Sequence, residues 1–300
     1  GYSREFAESI FNQIEGFGEY GFPESHAASF ALLTYFSSWL KCHEPEAFLC
    51  GLLNSQPMGF YSPSQLIQDA RRHGVKVLPV NVLRSRWESI LELDPTGQAR
   101  PAVRLGMSLL RGMPEQAAQR IEQAGAERPF ADVDDLARRA GLDRHALQAL
   151  AAGDALRELA GHRRAALWHA VGAVPDRDLL RTAPRGDDTV ELEAPGEGDQ
   201  IVDDYRAMNL TLRRHPLALL RPTLQRRRFM SVADLNTLQN RQFACCCGIV
   251  TVRQRPGTAK GVIFMTLEDE TGSANVIVWP SVLERQRSEV LNARLLGVPE

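Results

Sequence analysis

The apolar residues of this 300-residue chain change period once, and that change limits what it can fold into. Up to about Gly172 they recur at helical spacing. Beyond Phe243 they fall into short runs broken by Pro256-Gly257 and by Asp269-Glu-Thr-Gly272, the pattern of strands joined by tight turns. Between these regions, Val174 to Gln200 is rich in Pro, Gly and acidic residues with little periodicity, and reads as a flexible linker. One core cannot accommodate this sequence of patterns. The expectation is a multidomain, mainly α chain that ends in a β domain.

The helical part starts as helix, tight loop, helix, with the loop at Gly16-Phe-Gly-Glu-Tyr-Gly-Phe-Pro23. Ser25 is placed to cap the run Ala27 to Leu40, and Pro45 to open the next helix. A helix from Ser64 to His73 stops at Gly74, and Val75 to Pro79 reads as a short extended piece. A second unit begins near Val103 and runs to about Gly172. In the β part, runs at Phe243 to Arg255, Val262 to Glu268 and Asn275 to Trp279, a helix from about Ser281 to Leu291, and a strand starting at Arg294 match the opening of a five-stranded OB barrel.

Several function classes drop out. No apolar run approaches the roughly 18 residues of a membrane span, and nothing near Gly1 resembles a secretory signal, so the cytoplasm is the expected compartment. Cys245-Cys246-Cys247 cannot form a spaced disulfide framework, and neighbours on opposite strand faces cannot share a metal. The net charge of -2 hides a dipole: eight acids and no base lie between Asp187 and Asp204, and seven arginines and no acid between Tyr205 and Arg228. Each run reads either as a solvated face or, for the basic one, as a nucleic-acid contact.

Two segments carry the chemistry of DNA binding. Leu105 to Ile121 has the layout of a helix-hairpin-helix turning at Arg111-Gly112-Met113. The amides heading a second helix lack intrahelical acceptors and can hold a phosphate without reading a base. Pro114 removes one of those donors. Without a ligand role, the same residues make a plain helix pair with a glycine turn. Ala152-Gly153-Asp154 is a second such turn, with a carboxylate where the phosphate would sit, and reads as structural. In the β part, Arg253, Arg255 and Lys260 flank a turn beside Phe264 and Trp279, the mixture of charge and rings with which OB folds track single strands; core packing is the competing role for the rings.

The Asp-x-Asp pairs, Asp132-Val-Asp134 and Asp176-Arg-Asp178, sit where carboxylates serve a helix N-terminus or a linker, so neither suits a two-metal site. No nucleophile triad, Walker loop or His/Cys cluster stands out. Ser25-His26 at a helix mouth could face a triphosphate, or be a cap and a surface histidine.

Phe17-Gly-Glu-Tyr-Gly-Phe-Pro-Glu-Ser-His-Ala-Ala-Ser-Phe-Ala31, with Trp39-Leu-Lys41 and Ala47-Phe48, closely resembles the bacterial DNA polymerase III alpha family, the C-family polymerases. Leu53 to Pro63, Asp69 to Gly74, Arg253 to Gly261 and Thr266 to Gly272 resemble its error-prone, ImuC-type branch. The resemblance implies the end of the polymerase fingers in residues 1–95, a tandem helix-hairpin-helix domain in 96–173, an acidic linker in 174–203, a basic helical connector in 204–242 and an incomplete OB fold in 243–300. It places Ser25 and His26 near an incoming dNTP. The palm aspartates that hold Mg2+ belong to a part of the family's chain that precedes these residues, so no catalytic residue and no metal are expected here, and the segment alone should be inactive. Gly1 falls within an expected fingers helix and Val298-Pro-Glu300 within an expected barrel strand, as in a cut chain. The partners implied are primer-template duplex and single-stranded template. No Gln/Leu/Phe clamp-binding peptide stands between Val174 and Phe243, which points to recruitment by an ImuB-like protein. The competing expectation is a partner-docking module whose DNA contact is incidental.

Overall fold

The computed structural model describes residues 3–19, 24–59, 61–93, 100–172 and 192–298. The chain divides into two units, one of Gly1–Val80 with Arg84–Ser108, the other of Asn81–Leu83 with Leu109–Glu300.

The first unit comprises helices α1 (Arg4–Glu19), α2 (Glu24–His43), α3 (Pro45–Asn54) and α4 (Pro63–Arg72), with strands β1 (Val77–Leu78), β2 (Ile90–Glu92) and β3 (Ala102–Arg104). Helix α1 continues through Gly16 and Gly18, where the sequence suggests a loop; an interior glycine costs a helix only about 1 kcal/mol. Helix α2 begins at Glu24, so Ser25 is its second residue and not its N-cap. Pro45 does open α3, and α4 carries a reciprocal cap between Ser62 and Gln65.

Strand β3 lies between β1, parallel, and β2, antiparallel, with Val103 opposite Val77 and Leu91. This pairing puts Val103 in the first unit, although the sequence suggests a new unit starting there. Leu49, Leu53, Ile67, Val103 and Leu105 form buried parts of this unit. Gly106 is required by close approach: a Cβ there would lie 2.4 Å from the Trp87 carbonyl oxygen.

The second unit is helical first and then β: α5 (Glu115–Glu127), α6 (Val133–Arg139), α7 (Arg144–Ala152), α8 (Arg157–Ala160), α9 (Arg163–Gly172), α10 (Glu197–Met208), α11 (Pro216–Arg226) and α12 (Val232–Leu235), then β4 (Cys246–Gln254), β5 (Ile263–Glu268), β6 (Ser273–Val278), α13 (Pro280–Arg285), α14 (Arg287–Asn292) and β7 (Leu295–Val298). Residues 197–208, which the sequence divides between linker and connector, are one helix. Its apolar residues Ile201 and Ala207 are buried, and it packs on α7. Most of the acidic linker, 173–191, lies outside the described residues.

The four strands form an antiparallel sheet in the order β6-β5-β4-β7, with α13 and α14 joining the third strand to the fourth. This is a curled, partial OB-like arrangement with Ile263, Met265, Val278, Leu283 and Val290 at its core. The connector belongs to it physically. Met230 bridges to Cys246, and Arg221 reaches Asp269 at 3.0 Å. Buried Asp269 also accepts hydrogen bonds from the Val232 amide at 2.8 Å and the Thr271 amide at 2.7 Å.

Candidate nucleic-acid interface

Three turns in the helical part of the second unit share one local design. In each, a residue with positive φ is followed by a buried residue: Gly112 (φ 80) before Met113, Gly141 (φ 55) before Leu142, and Asp154 (φ 59) before Ala155. Glycine adopts this left-handed conformation without Cβ penalty, and the apolar residue after it pins the turn to the core. The Gly141-Leu142-Asp143 turn, with Asp143 accepting from the Ala146 amide to cap α7, went unread in the sequence. Its spacing, glycine then apolar residue then cap, repeats that of Gly112-Met113-Pro114 and was the available signal.

At the first turn the Ala117 and Ala118 amides donate to the Pro114 carbonyl at 3.1 and 3.2 Å. The amides of Gly112, Glu115 and Gln116 have no protein acceptor among the described residues. Together with the dipole of α5 they form a small set of outward donors suited to a phosphate oxygen. The other two predicted contacts are placed differently. Met113 is buried and its amide donates to the Leu110 carbonyl at 3.2 Å, so it is a core residue. The Arg111 amide donates to the Ala207 carbonyl at 2.8 Å, and its exposed guanidinium donates to Asn209 Oδ1 at 2.8 Å. Exposed His145 of α7 completes the surroundings: its Nε2 lies 3.1 Å from where a Cβ on Gly112 would be, a tight contact that a side chain at 112 would relieve only by shifting the ring a few tenths of an ångström. The carboxylate of Glu115 opposes an anion here.

Asp154 cannot hold a phosphate, because its carboxylate pairs with Arg213 at 2.9 Å and Arg157 at 3.4 Å. The same applies to much of the basic run. Arg206 pairs with Asp203, Arg213 also with Asp204, Arg214 with Glu197, and Arg221 with Asp269 and Glu270. The two charge runs seen in the sequence therefore largely neutralise one another. Asp204 is shared with Arg163, which is 2% exposed and also donates to the Gln200 carbonyl at 2.9 Å; nothing in the local sequence pattern marked this buried pair.

In the OB-like sheet the faces are set by a bulge. Val250 is opposite buried Leu267, but after the register shift Val252 is opposite Thr266, Arg253 opposite buried Met265, and Gln254 opposite Phe264. Arg253 is consequently on the inner side, donating to the Ala293 carbonyl at 2.7 Å, and does not join a basic outer surface. Arg255 and Lys260 are exposed at the β4–β5 turn. Phe264 is 41% exposed and directly opposite Ile277 at 53%; Trp279, two residues on, is 61% exposed. An outer apolar patch next to two cations thus exists, with Ile277 an unpredicted member.

His26 is exposed on α2, its ring 6.4 Å from that of Phe30; the Ser25 side chain lies outside the described residues. Asp132 caps α6 by accepting from the Asp135 amide at 2.7 Å, and Asp176 and Asp178 lie outside the described residues. Among the described residues no group of three or more His, Cys, Asp or Glu is arranged to hold a metal, and no helix is long and apolar enough to cross a membrane.

A helix-hairpin-helix motif family matches residues 74–166. Over nearly the whole chain, the sequence is similar to proteins named error-prone DNA polymerase. It is 64% identical over 298 residues to that of Bordetella parapertussis, 62% over 303 residues to that of Burkholderia pseudomallei, and 59% over 301 residues to that of an Azoarcus species. Each alignment covers 99% of this chain and 28% of the relative.

Proposed function

We propose that this chain, homologous along its length to error-prone DNA polymerases, is the DNA-holding portion of such an enzyme. The intact protein would add nucleotides from dNTPs to a primer 3′ end, including opposite damaged template, in the cytoplasm. The observation that carries the reading is the Gly112 turn: a left-handed glycine and, at the head of α5, three amides without acceptors among the described residues. Such a site binds backbone phosphate without regard to base, as a polymerase that must slide along its product needs. The Arg111 side chain would add charge at the rim, and the Phe264, Ile277 and Trp279 patch with Arg255 and Lys260 would take unpaired template. Ser25 and His26 would lie toward the triphosphate. Mg2+ would be held by carboxylates elsewhere in the intact enzyme; among the described residues no group of three or more His, Cys, Asp or Glu is arranged for it. The segment by itself should therefore not extend a primer.

A partner-docking role is the second reading, with an ImuB-like protein as the expected partner in place of direct clamp binding. Leu167, Trp168 and Val171 favour it: on α9 they form an apolar stripe that is 37%, 56% and 53% exposed. Fluorescence anisotropy with a primer-template duplex over a salt series separates the readings. Phosphate contacts require affinity that falls steeply with salt and collapses in Gly112→Asp, whereas weak, flat binding indifferent to that change would sink the DNA grip.

A further inference from the structure

The basic run is neutralised only in part, and its remainder is concentrated. Arg206, Arg213, Arg214 and Arg221 have acidic partners, but Arg226, Arg227 and Arg228 at the end of α11 are exposed and have none among the described residues. Arg226 donates only to the Pro222 carbonyl and Thr223 Oγ1 of its own helix. Three acids of this region are engaged elsewhere: Asp234 caps α12 through Ser231, and Asp269 and Glu270 grip Arg221.

Two cations in this region also stand in backbone conformations that favour glycine. Arg228 has φ 64 and Arg241 has φ 70, both exposed. Arg228 occupies the left-handed position ending α11, where the Phe229 amide closes back on the Leu224 carbonyl at 3.0 Å and glycine would normally stand. Holding an arginine there costs stability that a glycine would not, and such strain tends to persist where a side chain is needed.

The same stretch of the second unit carries an exposed aromatic ring. Met230, two residues after Arg228, pairs in parallel with Cys246, three residues after Phe243, and its amide donates to the Cys245 carbonyl at 2.8 Å. Phe243 is 83% exposed. Exposed guanidiniums without acidic partners among the described residues, on the same stretch of chain as a highly exposed ring, fit a backbone of phosphates with unpaired, stackable bases.

We infer that Arg226, Arg227, Arg228, Arg241 and Phe243 form a single-stranded DNA contact, separate from both the Gly112 turn and the outer face of β5 and β6. Arginine supplies the phosphate contacts, and Phe243 a stacking surface that duplex DNA could not use.

The test is anisotropy of this chain with fluorescein-labelled dT20 over a salt series, alongside a duplex of equal length. The variants are Arg226→Ala/Arg227→Ala/Arg228→Gly/Arg241→Gly, Phe243→Ala, Phe264→Ala/Trp279→Ala and Gly112→Asp. The fourfold variant should bind dT20 at least about tenfold more weakly, with a salt slope shallower by about 0.7 for each phosphate it no longer neutralises. Its thermal midpoint should not fall, since two strained arginines become glycine. Phe243→Ala should weaken dT20 binding several-fold and leave the duplex unaffected. Wild-type dT20 affinity and slope in the fourfold variant, or a defect confined to the duplex, would overturn the inference. Gly112→Asp on the duplex reports the polymerase-grip reading independently, so one can fail while the other stands.

Discussion

Replacing Asp204 by alanine should be among the most damaging single changes in the second unit. Its carboxylate faces Arg163, 2% exposed, and also accepts from Thr211 Oγ1 at 2.6 Å and lies 3.3 Å from Arg213 Nε. Arg163 Nε is already buried without a partner, so this guanidinium depends on Asp204 and the Gln200 carbonyl for compensation. Removing the acid strands a cation in a low-dielectric interior, a change that costs about 3–5 kcal/mol when one partner of a buried pair is lost. For a unit of this size that converts to a fall of about 6–20 °C in the melting temperature. Arg163→Met should cost less, because Asp204 keeps Thr211 and Arg213. Arg163→Met combined with Asp204→Ala should recover part of the loss, giving a coupling energy of about 1–3 kcal/mol in a double-mutant cycle. The assay is thermal and urea unfolding of the four proteins by circular dichroism. A melting temperature for Asp204→Ala within about 2 °C of wild type would refute the reasoning.

Three further outcomes follow from the same kind of argument. Burial alone would raise the Asp135 carboxyl, but hydrogen bonds from Arg128, the Ala131 amide, Arg139 and Arg138 hold it at about 2, below its ordinary 3.8. The folded state therefore binds fewer protons than the unfolded one, and the stability this confers is present above about pH 4 and lost as pH falls toward about 2; Asp135→Asn should flatten that part of the urea-midpoint profile. Gly248→Ala should destabilise the OB-like sheet by about 1–3 kcal/mol, since its Cβ would lie 2.7 Å from that of Leu267 and 2.9 Å from the Glu268 amide nitrogen; unchanged unfolding would show that the strands can separate there at no cost. Burial pushes the Cys246 and Cys247 thiols up, while Cys42 is exposed, so a disulfide reagent at neutral pH should modify Cys42 first and reach the other two only after unfolding, as peptide mapping would show.

What could be read from the sequence was what depends on neighbours along the chain. Helical and alternating periods separated the helices from the OB-like strands, and glycine with a following apolar residue marked the turn at Gly112. Pro45 and Gly74 bounded helices because proline and glycine restrict or free the backbone wherever they stand. Tertiary structure decided what each charge and ring was used for. Of the seven arginines in the basic run, four are held by acids and three have no acidic partner among the described residues, because Asp203, Asp204 and Glu197 fold back onto the four and Asp154, Asp269 and Glu270 arrive from 48 to 59 residues away. Met113 became core, and one bulged residue in β4 turned Arg253 inward while leaving Phe264 outside. Local conformation is written in short-range sterics and period; the fate of a charged side chain depends on which distant group reaches it, and only the packed chain determines that.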